Sequence, residues 1–174
     1  MSDAQPSEIV KRRVVPGDLA AIRDLHARAF SPGRFARTAY RVREGTGAFS
    51  PFCRVCLIDG RLVAAVRFTP ITVGGKDKAL LLGPLAVDPA FANQGYGRSL
   101  VGKALEDARA AGISLVVLVG DEPYYGKLGF RCVPTGKITL PGPADPNRLL
   151  AAELTPDALV TYTGAVAADP AQRR

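Results

Sequence analysis

Between Ala79 and Gly112 the chain passes from a nearly pure hydrocarbon strand, ALLLGPLAV, through a patch with almost no apolar bulk, into a helical repeat. This stretch restricts the fold more than any other. The repeat places Leu100, Val101, Ala104, Leu105 and Ala108 on one face, the 3.6-residue period of an amphipathic helix. Its first turn therefore falls at Gly97 to Ser99, directly after Asn93, Gln94, Gly95 and Tyr96. A second apolar run, ISLVVLV from Ile113 to Val119, follows the helix. Strand, helix, strand implies a parallel pair joined by a right-handed crossover.

The patch has a physical use. The first N–H groups of a helix lack intrahelical partners and carry partial positive charge. Gly95 and Gly97 have no Cβ, so a ligand can approach the main chain. Gln94, Gly95, Tyr96 and Gly97 could aim several N–H groups at one phosphate-like group, and Arg98 adds a charge. A plain strand-to-helix turn with no ligand is the alternative. Two nucleotide motifs fail. A dinucleotide fingerprint needs a third glycine where Leu100 stands and belongs on the first strand of a parallel sheet. A P-loop needs a hydroxyl after Gly102-Lys103, and Ala104 has none.

Upstream, Glu8–Val15 alternates loosely and predicts a first strand, broken by Pro16-Gly17. Asp18 is expected to cap a helix with Leu19, Ile22, Leu25 and Ala29 on one face, and His26 borders that face as a packing or surface residue. Residues 34–44 predict a short basic helix with Arg34, Arg37 and Arg41 on one side. FCRVCLID, Asp59-Gly60 and RLVAAVRFTPITV form a hairpin signal, and Gly74-Gly75 turns the chain back into ALLLGPLAV. Pro84 interrupts that strand. Proline cannot donate to a ladder, so a bulge is expected there, leaving backbone groups unpaired for an extended amide-bearing ligand. Downstream, RCVP, KITL, RLLAAEL and ALVTYTGAV predict short late strands around a Pro-rich link.

Nearly half of the 174 residues are hydrophobic, which excludes a disordered chain and supports one domain over 1–174, with a core at about 8–165 and frayed ends. No apolar run nears the roughly 20 residues of a membrane helix, and MSDAQPSEIVKRR has no secretion-signal core. A soluble, cytoplasmic protein is expected. The net charge of +7 is spread without a run of four basic residues, so nucleic acid is not an expected partner. Cys53, Cys56 and Cys132 are odd in number, and the first two fall three apart on a strand, on opposite faces. With His26 the single histidine, no metal set emerges, and buried reduced thiols are expected.

Taken together, LGPLAVDPAFANQGYGRSLVGKAL and the downstream YYGKLGF resemble the GNAT superfamily of N-acetyltransferases. The family's cofactor motif is Gln or Arg, two residues, Gly, one residue, then Gly or Ala. Here it reads Ala92-Asn93-Gln94-Gly95-Tyr96-Gly97, with Ala92 in place of the polar first residue. The second marker, Tyr-x-Lys-Leu-Gly-Phe in the family, corresponds to Tyr125–Phe130. The resemblance covers roughly residues 80–132. It implies a single α/β domain of α+β type, with a mixed, mostly antiparallel sheet splayed between strands 4 and 5 and flanked by helices. It implies acetyl-CoA as cosubstrate, its pyrophosphate on the amides of Gln94 to Gly97 beside Arg98, and its pantetheine arm along Leu85, Ala86 and Val87. Direct attack of a primary amine on the thioester would then need an oxyanion donor, the N–H of Leu85 or Ala86. Tyr125 aligns with the family's acid, with Tyr124 beside it. Asp88, Asp121 and Glu122 are the candidate bases. The acceptor is a small-molecule or peptide amine. Dimerisation through the late strands and a non-catalytic coenzyme A-binding module are the further expectations to test.

Overall fold

The computed structural model describes residues 5–30 and 38–172. Its elements run β1 (Ile9–Arg13), α1 (Leu19–Ala29), α2 (Thr38–Arg43), β2 (Arg54–Ile58), β3 (Arg61–Val73), β4 (Lys76–Val87) and α3 (Tyr96–Ala110). Then follow β5 (Leu115–Val119), α4 (Glu122–Tyr125), β6 (Arg131–Cys132), β7 (Ile138–Thr139), β8 (Leu149–Glu153), α5 (Ala158–Thr161) and β9 (Gly164–Ala168). The main strand order is β1-β2-β3-β4-β5-β8-β6, and β9 pairs with the far end of β3 and with β7. The two hairpins form as expected. Asp59 and Gly60 both take positive φ, as do Gly74 and Gly75, the turn geometry whose twist matches the flanking strands.

β4 and β5 are parallel and joined through α3. α3 buries Leu100, Val101, Ala104, Leu105 and Ala108 against one face of the sheet, with Val66, Phe68, Leu80, Leu82, Val116 and Leu118 opposite them. The other face is closed by α1, whose Leu25 is fully buried among Val55, Leu62, Ala65 and Ala86. The buried ion pair of Arg54 on β2 with Asp107 ties α3 to the sheet edge.

Several local expectations are corrected. Asp18 does not cap α1. Its carboxylate accepts Arg12 at 2.7 and 2.9 Å and the Val15 N–H at 2.9 Å, folding the β1 end onto the helix start instead. The ALVTYTGAV segment is not all strand: its first half is α5, and only Gly164–Ala168 pairs. Tyr162 is buried there and donates to the Asp77 carbonyl at 2.6 Å. Cys53 and Cys56 are buried thiols, but Cys132 is exposed on the short edge strand β6. Arg41 lies in α2, whereas Arg34 and Arg37, like both extreme ends, lie outside the described residues. Among the described residues, no helix is long and apolar enough to cross a membrane, and no His, Cys, Asp or Glu cluster could hold a metal.

Candidate active site

The site begins with a disagreement between two strands. β4 pairs with β5 only over Ala79–Leu81, opposite Leu115–Val117. β5 then runs on with β8, while Leu82–Val87 stay with β3. From Leu82 onward the two strands diverge and a cleft opens. Pro84 sits at the point of departure. Val66 faces Leu85 and Phe68 faces Leu82, so Gly83 and Pro84 both stand opposite Arg67. That is the bulge expected from the proline. Arg43 of α2 fixes it by donating to the Gly83 carbonyl.

The ladder decides which amides face the cleft. The Asp88 N–H donates to the Val63 carbonyl at 2.8 Å. Polar groups alternate sides along a strand, so Ala86 also points toward β3, and Leu85 and Val87 point into the cleft. Of the two candidate donors, the Leu85 N–H faces the cleft. Ala86 is not: its backbone serves the sheet, and its side chain is buried on the α1 face.

After β4, Asp88 opens a 3₁₀ turn over Pro89–Phe91, accepting the Ala90 N–H at 3.0 Å. It also pairs with Arg28 at 3.2 Å and Arg61 at 2.9 Å, and it is 3% exposed. The Ala90 N–H holds its carboxyl below the usual range, the two arginines add to this, and burial opposes them. Asp88 thus caps the 3₁₀ turn and holds both arginines. Asn93 and Gly95 then take φ of 61° and 85° to turn the chain into α3. The Ser99 N–H reaches the Gly95 carbonyl at 3.0 Å, so those of Tyr96, Gly97 and Arg98 precede the first intrahelical donor. Asn93, Gln94 and Gly95 are exposed, as is Ala92, which offers no polar side chain.

The two glycines have different reasons. A Cβ on Gly95 would meet nothing within 4 Å, so this residue needs its positive φ and leaves open space before the helix. A Cβ on Gly97 would point inward, 2.9 Å from the Tyr124 hydroxyl, 3.2 Å from Val87 Cγ2 and 3.4 Å from Leu85 Cδ2. Gly97 therefore admits a tyrosine to the cleft, a role its position in a ligand-facing patch did not disclose.

That tyrosine is Tyr124. Arg98 lies over its ring at 5.1 Å; burial raises the phenol pKa and Arg98 lowers it, with burial winning. Tyr125 stands behind, edge-on to Tyr124 at 4.9 Å and to Phe130 at 5.8 Å. A Cβ on Gly120 would come within 2.6 Å of its ring. Burial first, then Tyr124 and Asp121, push the Tyr125 phenol up to about 12. The other candidate bases are engaged elsewhere: Asp121 pairs with Arg148 at 3.3 Å, and Glu122 accepts the Cys132 thiol at 2.8 Å.

On the α1 face of β4, a cavity of about 250 Å³ has Pro84 in its lining. His26 lines it, edge-on to Phe30 at 5.6 Å. Sequence spacing had placed His26 beside the packed face of α1. That it borders a cavity follows only from the loop bearing Phe49 and the bulge of β4.

A parallel pair that splits beside a bulge, with a helix N-terminus at the mouth, is the arrangement the sequence resemblance implied. The Acetyltransferase (GNAT) family profile matches residues 19–130, and the chain belongs to that family. It is 30% identical over 154 residues to YhbS of Escherichia coli K12, described as an uncharacterized N-acetyltransferase, covering 87% of this chain and 91% of the relative. The crystal structure of YhbS in complex with CoA superposes with a TM-score of 0.81 at 27% identity, covering 100% of this chain and 97% of that one. A GNAT acetyltransferase from Brucella melitensis in complex with acetyl-CoA gives 0.70 at 26% identity, covering 94% and 97%.

Proposed function

We propose that this protein acetylates a primary amine, taking the acetyl group from acetyl-CoA in the cleft between β4 and β5. The observation that carries this reading is the bulge at Gly83-Pro84, which leaves the cleft-facing backbone of Leu85 and Val87 without a strand partner. The two crystal structures that contain CoA or acetyl-CoA, at 27% and 26% identity, support it. When bound, acetyl-CoA supplies a thioester that a neutral amine attacks directly, with coenzyme A thiol as the leaving group.

The chain's own groups divide the work. Leu85 and Val87 offer amides and carbonyls to an extended amide-bearing arm, as an added strand would. The amides of Gln94 to Gly97, with Arg98, receive the pyrophosphate. The Leu85 N–H is the fixed donor for charge developing on the carbonyl oxygen. The Tyr124 hydroxyl, lodged at Gly97 beside Leu85 and Val87, is the proton donor to the departing sulfur. Tyr125, the residue in the family's motif position, positions Tyr124 through their edge contact. The proton acceptor for the amine is His26, which lines the same cavity as Pro84 of the bulge.

Tyr124→Phe tests the assignment: kcat falls about 10²-fold or more while the Kd for acetyl-CoA stays within about twofold. Tyr125→Phe should cost less. If Tyr125→Phe abolishes turnover and Tyr124→Phe does not, the roles are exchanged. A coenzyme A-binding module without catalysis would bind acetyl-CoA and release no thiol with any amine.

A further inference from the structure

The cavity that has Pro84 in its lining bears on which amine is acetylated, and the inference rests on the acetyl-transfer reading above. Its walls are largely apolar: Leu19 and Ile22 from α1, Phe49 from the loop before β2, Val66 from β3, and Pro84 itself. About 250 Å³ corresponds to roughly eight waters at ~30 Å³ each, which suits a small molecule and not a folded partner. The polar side chains in the lining are Arg23, His26, Arg67 and Cys53, and no carboxylate is among the described residues that line it.

The two guanidinium groups occupy different places. Arg67 stands opposite Gly83-Pro84, at the bulge. It donates to the Thr46 hydroxyl at 3.1 Å and the Gly47 carbonyl at 2.9 Å, which holds the loop over the cavity in place. Arg23 falls on the same stripe of α1 as Leu19, Ile22 and His26, and it is exposed at the rim. Among the described residues, it has no acidic partner. A guanidinium without a carboxylate, beside an apolar pocket, is suited to an anionic oxygen pair on a ligand. An acceptor with several ammonium groups would meet like charge there.

We propose that this cavity is the acceptor site and that it takes a small primary amine bearing an apolar body and a carboxylate. The apolar body fills the Leu19, Ile22 and Phe49 walls. The carboxylate pairs with Arg23 at the rim, and the amine is directed to the bulge at Pro84.

The test compares matched acceptors on the full-length protein. 6-Aminohexanoate and 4-(aminomethyl)benzoate, whose amine and carboxylate lie at opposite ends of an apolar body, their amides, and spermidine are assayed by release of coenzyme A thiol, and their binding is followed by calorimetry without acetyl-CoA. The carboxylates should exceed their own amides by at least about tenfold in kcat/KM and bind more tightly. Arg23→Gln should shrink that ratio to about twofold, Arg23→Lys should restore part of it, and the Kd for acetyl-CoA should not change. Amides or spermidine performing as well as the carboxylates would overturn the proposal, as would Arg23→Gln leaving the ratio intact or no carboxylate binding at all. In each case, acetyl-CoA binding with thiol release to another amine leaves the acetyl-transfer reading standing. Absence of acetyl-CoA binding removes that reading first.

Discussion

Gly97→Ala offers a quantitative check on the contact that brings Tyr124 to the cleft. In the folded chain the new methyl would lie 2.9 Å from the Tyr124 hydroxyl and 3.2 Å from Val87 Cγ2. A relaxed contact needs about 3.5 Å or more, so the hydroxyl must withdraw by several tenths of an ångström. Residue 97 lies in α3 without a positive φ. Replacing a helical Gly with Ala alone is favourable by roughly 0.5–1 kcal/mol. Overpacking a buried site typically costs about 1–3 kcal/mol. The net expectation is a loss of up to about 2.5 kcal/mol in the wild-type background. In a Tyr124→Phe background the oxygen is gone and the helical gain persists, so the same change should be near neutral or stabilising. Urea unfolding of the four proteins reads the coupling, expected at about 1 kcal/mol or more. Turnover should follow: Gly97→Ala lowers kcat in the wild-type background and adds little once Tyr124 is Phe. If the two stability changes add to within about 0.3–0.5 kcal/mol, Tyr124 does not lean on Gly97 and its placement at the cleft is wrong.

Asp88→Asn should destabilise by about 1–2 kcal/mol, because the Ala90 cap and two arginine partners lose their charge-assisted acceptor. Since the folded-state pKa of Asp88 is lowered, its contribution is full above the ordinary aspartate range and is lost as pH falls through the lowered value. Urea midpoints measured from pH 5 down to 2 should fall less steeply in Asp88→Asn. Tyr125 shifts the other way, up to about 12 from 10. Its contribution is whole below pH 10 and declines between 10 and 12, and Tyr125→Phe should flatten that alkaline slope in thermal melts. His26→Gln should lower kcat about 10²-fold with the Kd for acetyl-CoA unchanged; full turnover in this variant would exclude the imidazole as proton acceptor.

What the residues determined by themselves was mostly local. Asp59-Gly60 and Gly74-Gly75 specify turns because few residues adopt positive φ. Pro84 specifies a bulge because it lacks an N–H. The glycines before α3 and the apolar stripe Leu100–Ala108 specify where a helix starts and which side it buries. These constraints act over a few bonds, so they can be read without knowing the neighbours. The rest depended on which distant segments meet. Only the β3–β4 register shows that Leu85 faces the cleft and Ala86 does not, because alternation has no origin until one hydrogen bond is placed. Asp88 is a candidate base in the sequence, and only the fold closes Arg28, sixty residues earlier, on it. The motif singles out Tyr125, and only the packing of α4 on α3 shows that the hydroxyl lying against Gly97 is that of Tyr124. His26 became a cavity residue through the bulge of β4 and the Phe49 loop, and that long-range convergence was invisible to the spacing of α1.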